Sequence, residues 1–282
     1  MSQTTTPADA AVLRRSSPID RAAEKRRARR RVHLGLLSFL TMLVVWSGVT
    51  GFGLVSPVFI PSPLALLQTF ATLIRDGYHG RPLWHHILVS LERFGLAFLI
   101  TLVTAIPIGL LMGMNESIRA VLDPPIEITR PVPKLTLIPI LVIWFGIGNT
   151  PKVVIIILGM FAVLSISAMQ GVKSVSTRKI QAAYSLGASH WQVFRRVVFP
   201  GSLPEIFTGI RVAVGVGVTM LVGAEMIATS DGIAWMAMSA SEFLLNNVVM
   251  VGVLLMAALG YMLDSIIRMI EKRVVHWRGQ EG

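Results

Sequence analysis

Side chains able to do chemistry are scarce in the apolar parts of this chain. Glu225 is the one carboxylate well inside an apolar run. An ionisable group in such a run is expensive to bury, so it marks a functional site by default. Glu225 either lines a path for a polar solute, pairs across a subunit interface, or makes a helix-end hydrogen bond shortly before Asp231. Arg211, early in the same run, either attracts an anion or snorkels to an interface. His85 and His86 are too few to hold a metal by themselves, and Trp84 beside them reads as an interfacial anchor. The chain has no cysteine, so thiolate metal sites, disulfides and cysteine nucleophiles are excluded. It has no Gly-x-x-x-x-Gly-Lys-Ser/Thr, so it is not expected to bind or hydrolyse ATP. No catalytic residue, metal or cofactor is assigned.

The richest polar stretch has a different character. Gln181-Ala182-Ala183-Tyr184-Ser185-Leu186-Gly187-Ala188-Ser189, running on to Phe199-Pro200, interrupts an otherwise apolar chain. Ile180, Ala183 and Leu186 fall at helical spacing, and small alanines admit a partner backbone. Gly187 breaks that pattern where a helix C-terminus wants glycine. Ser189 with Gln192 three residues on is a capping-box pattern. The second helix places Trp191, Phe194 and Val198 on one side, and Pro200 is expected to end it. A pair of short amphipathic helices around a glycine either covers the end of a helix bundle or docks a soluble partner.

The elements that must position these residues are apolar spans. Of 282 residues, 53% are hydrophobic and 15% charged, and mean hydropathy is +0.67. Soluble domains carry roughly 25% charged residues, so this is an integral membrane protein with no room for a soluble catalytic domain. Six spans are predicted, at about 33–53, 94–114, 135–147, 153–170, 203–227 and 248–268. The third is short, with Pro139 inside it. Residues 54–90 read as a surface segment with a helical pattern through Leu64, Leu67 and Phe70. Residues 115–133, rich in breakers such as Asp123-Pro124-Pro125, read as a cytoplasmic connecting segment with room for one interfacial helix. Along the fifth span, Gly209, Ala213 and Gly217 form one small-residue row, and Gly215, Thr219 and Gly223 another. Such rows let helices pack closely in lipid. Gly215, Thr219, Gly223 and Glu225 are therefore the candidates for a pathway wall.

Net charge is +11, but its distribution argues against nucleic acid. Nine Arg or Lys crowd residues 14–31, and more lie in 172–203 (Lys173, Arg178, Lys179, Arg195, Arg196) and in the tail (Lys272, Arg273, Arg278). The intervening segments carry few. This is the positive-inside pattern of a protein with both termini and the 172–203 loop in the cytoplasm. The expected organisation is a basic, disordered N-terminus over 1–32, a transmembrane domain over 33–270 and a cytoplasmic tail over 271–282.

The loop resembles the "EAA" loop of binding-protein-dependent ABC importer permeases. That motif reads Glu-Ala-Ala, three residues, Gly, nine residues, Ile, one residue, Leu-Pro. Here it stands as Gln181-Ala182-Ala183, Gly187, Val197 and Phe199-Pro200, with the spacing kept and Gln181 lacking the motif's charge. Arg130-Pro131-Val132-Pro133, Ile143-Trp144-Phe145-Gly146-Ile147-Gly148 and Ala224-Glu225-Met226-Ile227 resemble the branch that imports nitrate, alkanesulfonates and taurine. Ser56-Pro57-Val58-Phe59-Ile60-Pro61, Leu83-Trp84-His85-His86 and Ser239-Ala240-Ser241-Glu242-Phe243-Leu244 are most similar to taurine-importer permeases.

The resemblance implies an all-α permease of about six spans in a bacterial inner membrane. Gln181, Ala182, Ala183, Leu186, Gly187, Ala188 and Pro200 would couple it to ATPase motion. Its implied partners are two cytoplasmic ATP-binding subunits, a second permease copy, a periplasmic or lipid-anchored substrate-binding protein, and membrane lipid. The competing class, a self-contained secondary transporter, calls for an inverted repeat, and none is evident.

Overall fold

The computed structural model describes residues 18–227 and 229–276, in two compact units, 1–65 and 66–282. Among the described residues all regular structure is helical; Tyr78 and Arg81 form an isolated antiparallel bridge.

In the first unit, α1 (Pro18–Gly51) begins well ahead of the predicted span. Residues 18–32 are helical where a disordered segment was expected, and 1–17 lie outside the described residues. Proline suits a first helical position, and the Ala, Glu, Lys and Arg that follow are good helix formers. From residue 33 the helix is apolar, and Leu37, Phe39, Met42 and Val44 all stand exposed. A helix with so large an exposed apolar surface needs lipid or another chain around it. Trp46 Nε1 donates to the Pro61 carbonyl at 3.1 Å.

α2 (Pro63–Arg75) starts where Ser62 Oγ accepts from the Ala65 N–H at 3.2 Å. The helical pattern through Leu64, Leu67 and Phe70 is met, with these three exposed and Leu66 and Leu73 buried.

The second unit is built on three long helices: α3 (Leu83–Met114), α6 (Asn149–Ser174) and α9 (Phe199–Glu225). α3 starts at Leu83, not near residue 94. Residues 83–90, expected in the surface segment, belong to this helix, and His86, Ser90 and Arg93 are buried on one side of it. α6 is the core, with Ile155, Ile156, Met160, Leu164 and Ala168 fully buried.

Glycines set the approach of its neighbours. A Cβ on Gly109 of α3 would collide with the Ser165 carbonyl of α6, and one on Gly209 of α9 with the Ser167 side chain. On α6, a Cβ at Gly171 would sit 2.8 Å from the Ser202 carbonyl of α9. Without a hydrophobic drive between helices in lipid, close van der Waals contact of this kind holds the bundle together.

Between α3 and α6 the chain turns back. α4 (Glu116–Thr129) is capped by Asn115, whose side chain accepts from the N–H groups of Ser117 (2.9 Å) and Ile118 (3.2 Å), and it runs through Pro124 and Pro125 where a break was expected. Lys134 Nζ donates to the carbonyls of Thr129 (2.7 Å) and Arg130 (2.8 Å), satisfying groups at its end. A 3-10 turn (Lys134–Leu137) leads into α5 (Ile138–Phe145), bent by 88° from α4. These 12 residues reach only about 20 Å, against a core of ~30 Å. The predicted third span is thus not a span by itself. Among the described residues, five helices are long and apolar enough to cross a membrane, or six if the bent pair counts as one.

After α6 come α7 (Thr177–Ser185), α8 (His190–Val193) and a π-helical turn (Phe194–Val198), which joins α9 without interruption. Pro200 therefore does not end the second loop helix. The Phe199 N–H donates to the Phe194 carbonyl, one residue further back than in an α-helix. The wider turn admits the proline ring that would otherwise crowd the carbonyl four residues earlier. α10 (Ile233–Glu242) and α11 (Asn246–Val274) complete the unit.

Candidate functional site

Two polar assemblies lie at opposite ends of α6, which at 26 residues is about 39 Å long.

At one end is the α7–α8 pair. α7 closes in a full Schellman motif. The Ala188 N–H donates to the Ala183 carbonyl (3.1 Å) and the Gly187 N–H to the Tyr184 carbonyl (2.9 Å). Gly187 has φ +81°, the left-handed conformation only glycine adopts freely, and a Cβ there would meet nothing within 4 Å. The capping box forms as read. The Ser189 N–H donates to Gln192 Oε1 (2.8 Å), and Gln192 N–H to Ser189 Oγ (3.3 Å). Tyr184 Oη and His190 Nδ1 lie 2.8 Å apart, within hydrogen-bond distance, tying α7 to α8. The end of α7 and the start of α8 are thus both closed by satisfied backbone groups, which stiffens the turn between them.

Ile180, Ala183 and Ala188 pack inward against the core. Gln181, Ala182 and Gly187 are exposed, and Leu186 is 88% exposed. Arg178, Gln181, Ala182 and Ser185 share one open helix face by spacing. Trp191 is exposed and its ring lies tilted against Phe194 at 5.5 Å, while Val193 and Val198 are the buried residues. Pro200 is half-buried.

At the other end Glu225, fully buried at the C-terminus of α9, meets Arg93 of α3. Arg93 Nη1 donates to Glu225 Oε1 at 3.1 Å and to the Asp231 carbonyl at 2.9 Å; Nη2 pairs with Asp231 Oδ1; Nε donates to Asn149 Oδ1 at 2.9 Å. Ser90 Oγ donates to Glu225 Oε1 (2.7 Å), and the Ala234 N–H to Oε2 (3.0 Å). Arg81 Nη1 donates to Asp231 Oδ2 (3.0 Å). Burial alone would raise the Asp231 carboxyl, but the hydrogen bond and charge of Arg93, with Thr229 and Arg81, outweigh it and hold it below its ordinary value.

The four pathway candidates are not brought together. Gly215 and Thr219 lie on an open face of α9, with Thr219 Oγ1 donating to the Gly215 carbonyl (3.1 Å). Gly223 is buried under Leu135, and Glu225 is enclosed by Arg93 and Ser90. Arg211 pairs with Asp264 at 3.0 Å, and Arg268 joins the same carboxylate at 2.9 Å. Sequence reasoning missed Arg93 and Ser90 as partners of Glu225, and Asn149 and Asp231 as further partners of Arg93. The available signal was the helical spacing of His86, Ser90, Arg93 and Ala97.

Residues 105–276 match the family model described as binding-protein-dependent transport system inner membrane component. The chain belongs to this family. The permease is 42% identical to the taurine transport system permease protein of Escherichia coli strain K12, over 89% of this chain and 92% of that one. It is 32% identical to a putative aliphatic sulfonates transport permease protein of Bacillus subtilis strain 168, over 86% and 87% of the two chains. Among solved structures, an inward-facing MetNI methionine ABC transporter aligns with a TM-score of 0.53 at 19% identity, over 67% of this permease and 95% of that chain. The fold is thus that of ABC transporter permeases. The permease is a multi-pass membrane subunit rather than an enzyme.

Proposed function

We propose that this permease imports a small sulfonate, with taurine the first candidate, and that ATP hydrolysis by separate subunits drives it. The substrate reading rests on the 42% identity to a taurine transport permease over nearly the full length of both chains. Coupling is supported by the α7–α8 pair, whose connecting turn is closed by a Schellman motif and a capping box and whose exposed Gln181, Ala182 and Leu186 offer a surface to a soluble protein. A rigid-body motion is transmitted only by an element that does not yield.

In this reading α7 seats on one of two ATP-binding subunits, and Gly187, Ala188 and Pro200 keep α7, α8 and α9 in register. A second permease copy completes the pathway, with the open Gly215–Thr219 face as its wall. A substrate-binding protein delivers the ligand from outside. The 172–203 loop and both termini lie in the cytoplasm of a bacterial cell, the span domain being 33–270 and the tail 271–282.

Uptake of labelled taurine should be measured in host cells with and without the gene, with nitrate and longer alkanesulfonates as competitors. Loss of uptake on deletion, restored by the wild-type chain, is expected. Unchanged taurine uptake would end the substrate assignment, and competitor uptake would then decide whether the importer reading stands.

A further inference from the structure

A cavity of about 460 Å³ opens beside the Arg93 network, lined by Arg93, Gly148, Asn149, Lys152, Thr229 and Asp231 among others. Lys152, in the first turn of α6, is only 6% exposed. Arg93 and Arg81 are matched by carboxylates, but Lys152 takes no part in these pairs. No fully buried side-chain nitrogen or oxygen among the described residues lacks a hydrogen-bond partner. The Lys152 ammonium, which has none, must therefore reach the cavity.

The charges of this region do not balance. Arg81, Arg93 and Lys152 face Glu225 and Asp231; His85 lies 4.0 Å from Asp231, and His86 is buried with its Nδ1 accepting from the Gly232 N–H at 3.3 Å. Leaving the histidines aside, three basic side chains face two carboxylates, and the one outside the ion pairs is Lys152. An ammonium drawn out of water without a counter-ion is costly, and a small anion removes the cost. The cavity also abuts the N-terminus of α6. No side chain caps that end, so its first N–H groups and the positive end of the helix dipole are available.

We infer that this cavity binds a small monoanionic headgroup, with a sulfonate as the favoured class. The Lys152 ammonium and the uncapped backbone N–H groups of α6 can serve several oxygens at once, which a spherical halide cannot use; Arg93, whose five N–H groups are taken by Asn149, Glu225, Asp231 and Thr229, only borders the site. The volume lies within the range of small-molecule sites, roughly 300–1,000 Å³. Glu225 and Asp231 would repel an anion if bare, but both carboxylates are neutralised by the arginines. The choice of sulfonate rests on the proposed substrate class; the need for a monoanion does not.

The test uses the full-length permease, with whatever subunits copurify, in nanodiscs without ATP or binding protein. Thermal unfolding is titrated with ethanesulfonate, its neutral analogue ethyl methyl sulfone, and chloride, at constant ionic strength. Saturable stabilisation by ethanesulfonate, none by the sulfone and a weaker response to chloride are expected. Lys152→Met should raise the half-saturating concentration at least about tenfold, as loss of a charged hydrogen bond does, and Lys152→Arg should retain binding. Equal responses to sulfonate and sulfone, or an unchanged titration in Lys152→Met, would overturn the site. Chloride acting as well as ethanesulfonate would overturn the sulfonate class. Should Lys152→Met not assemble, the wild-type comparison of sulfonate with sulfone still decides. Neither taurine nor uptake enters this measurement, so its failure and that of the substrate reading are separable.

Discussion

Arg93 and Glu225, 132 positions apart in sequence, meet at 3.1 Å with side-chain exposures of 2% and 0%. A carboxylate at a helix C-terminus opposes the helix dipole, so Glu225 is tolerated there through Arg93, Ser90 and the Ala234 N–H. The pair thereby pins α3, α9 and α10 together. Glu225→Ala, which leaves Arg93 buried without that partner, should cost about 3–5 kcal/mol. Glu225→Gln, which keeps hydrogen-bonding atoms in place, should cost less. Removing both charges as Arg93→Met with Glu225→Met should cost less than the sum of the single changes, because the pair is coupled. Detergent-phase unfolding of Glu225→Ala, Glu225→Gln, Arg93→Met, Glu225→Met and the double variant measures this, and strictly additive losses would show that the two residues act independently.

Asp231 gives a pH signature. Its carboxyl is held below its ordinary value in the folded protein, burial being outweighed by Arg93, Thr229 and Arg81. A depressed acid stabilises the fold fully above its unfolded pKa, about 3.9, and the contribution disappears as pH falls through the lower folded value. Wild type should therefore be more stable than Asp231→Asn at pH 7, with the gap closing as pH drops below about 4. Melting temperatures of both proteins across that range test the sign; a gap that widens on acidification would contradict the ion-pair account.

The glycines of the bundle should divide into two classes. A Cβ on Gly109 collides with α6 backbone and lies 2.7 Å from Ala168 Cβ, whereas one on Gly215 meets nothing within 4 Å. Gly109→Ala should destabilise by about 1–3 kcal/mol through overpacking. Gly215→Ala should be neutral or stabilising by up to about 1 kcal/mol, since alanine is the better helix former. If Gly215 lines the pathway wall, the same change should slow uptake without lowering the melting temperature, which separates a transport role from a packing one.

Much of the loop was legible because its signals are local. Gly187 at a C-terminus and Ser189 with Gln192 are read within a few residues, and the structure forms both motifs. What failed was non-local or depended on backbone detail. Residues 83–90 were read with the surface segment 54–90, yet His86 and Ser90 find partners at Glu225, Gly232 and Ile233, far along the chain. Pro200 looked like a terminator because the π-turn that accommodates it has no sequence signature as plain as proline itself. The short 135–147 run was apolar enough for a span, but composition does not reveal the 88° bend between α4 and α5.

Gly187 carries the sharpest prediction about mechanism. At φ +81° a β-branched residue is strained, while the open space around it means that no clash accompanies the strain. Gly187→Ala should cost the loop about 1 kcal/mol, and Gly187→Val more, because left-handed backbone penalises a Cβ and a branched one most. Ser189→Ala, which removes the cap of α8, should cost about 1 kcal/mol. None of these positions touches the buried core of the long helices, so membrane insertion and expression should stay near wild type. If the α7–α8 pair transmits motion, Gly187→Val should lose most ATP-dependent uptake while ATP-binding subunits still copurify, with Gly187→Ala and Ser189→Ala intermediate. Normal uptake by Gly187→Val, at normal subunit recovery, would mean that this stiff, well-capped loop is not the element through which the permease is driven.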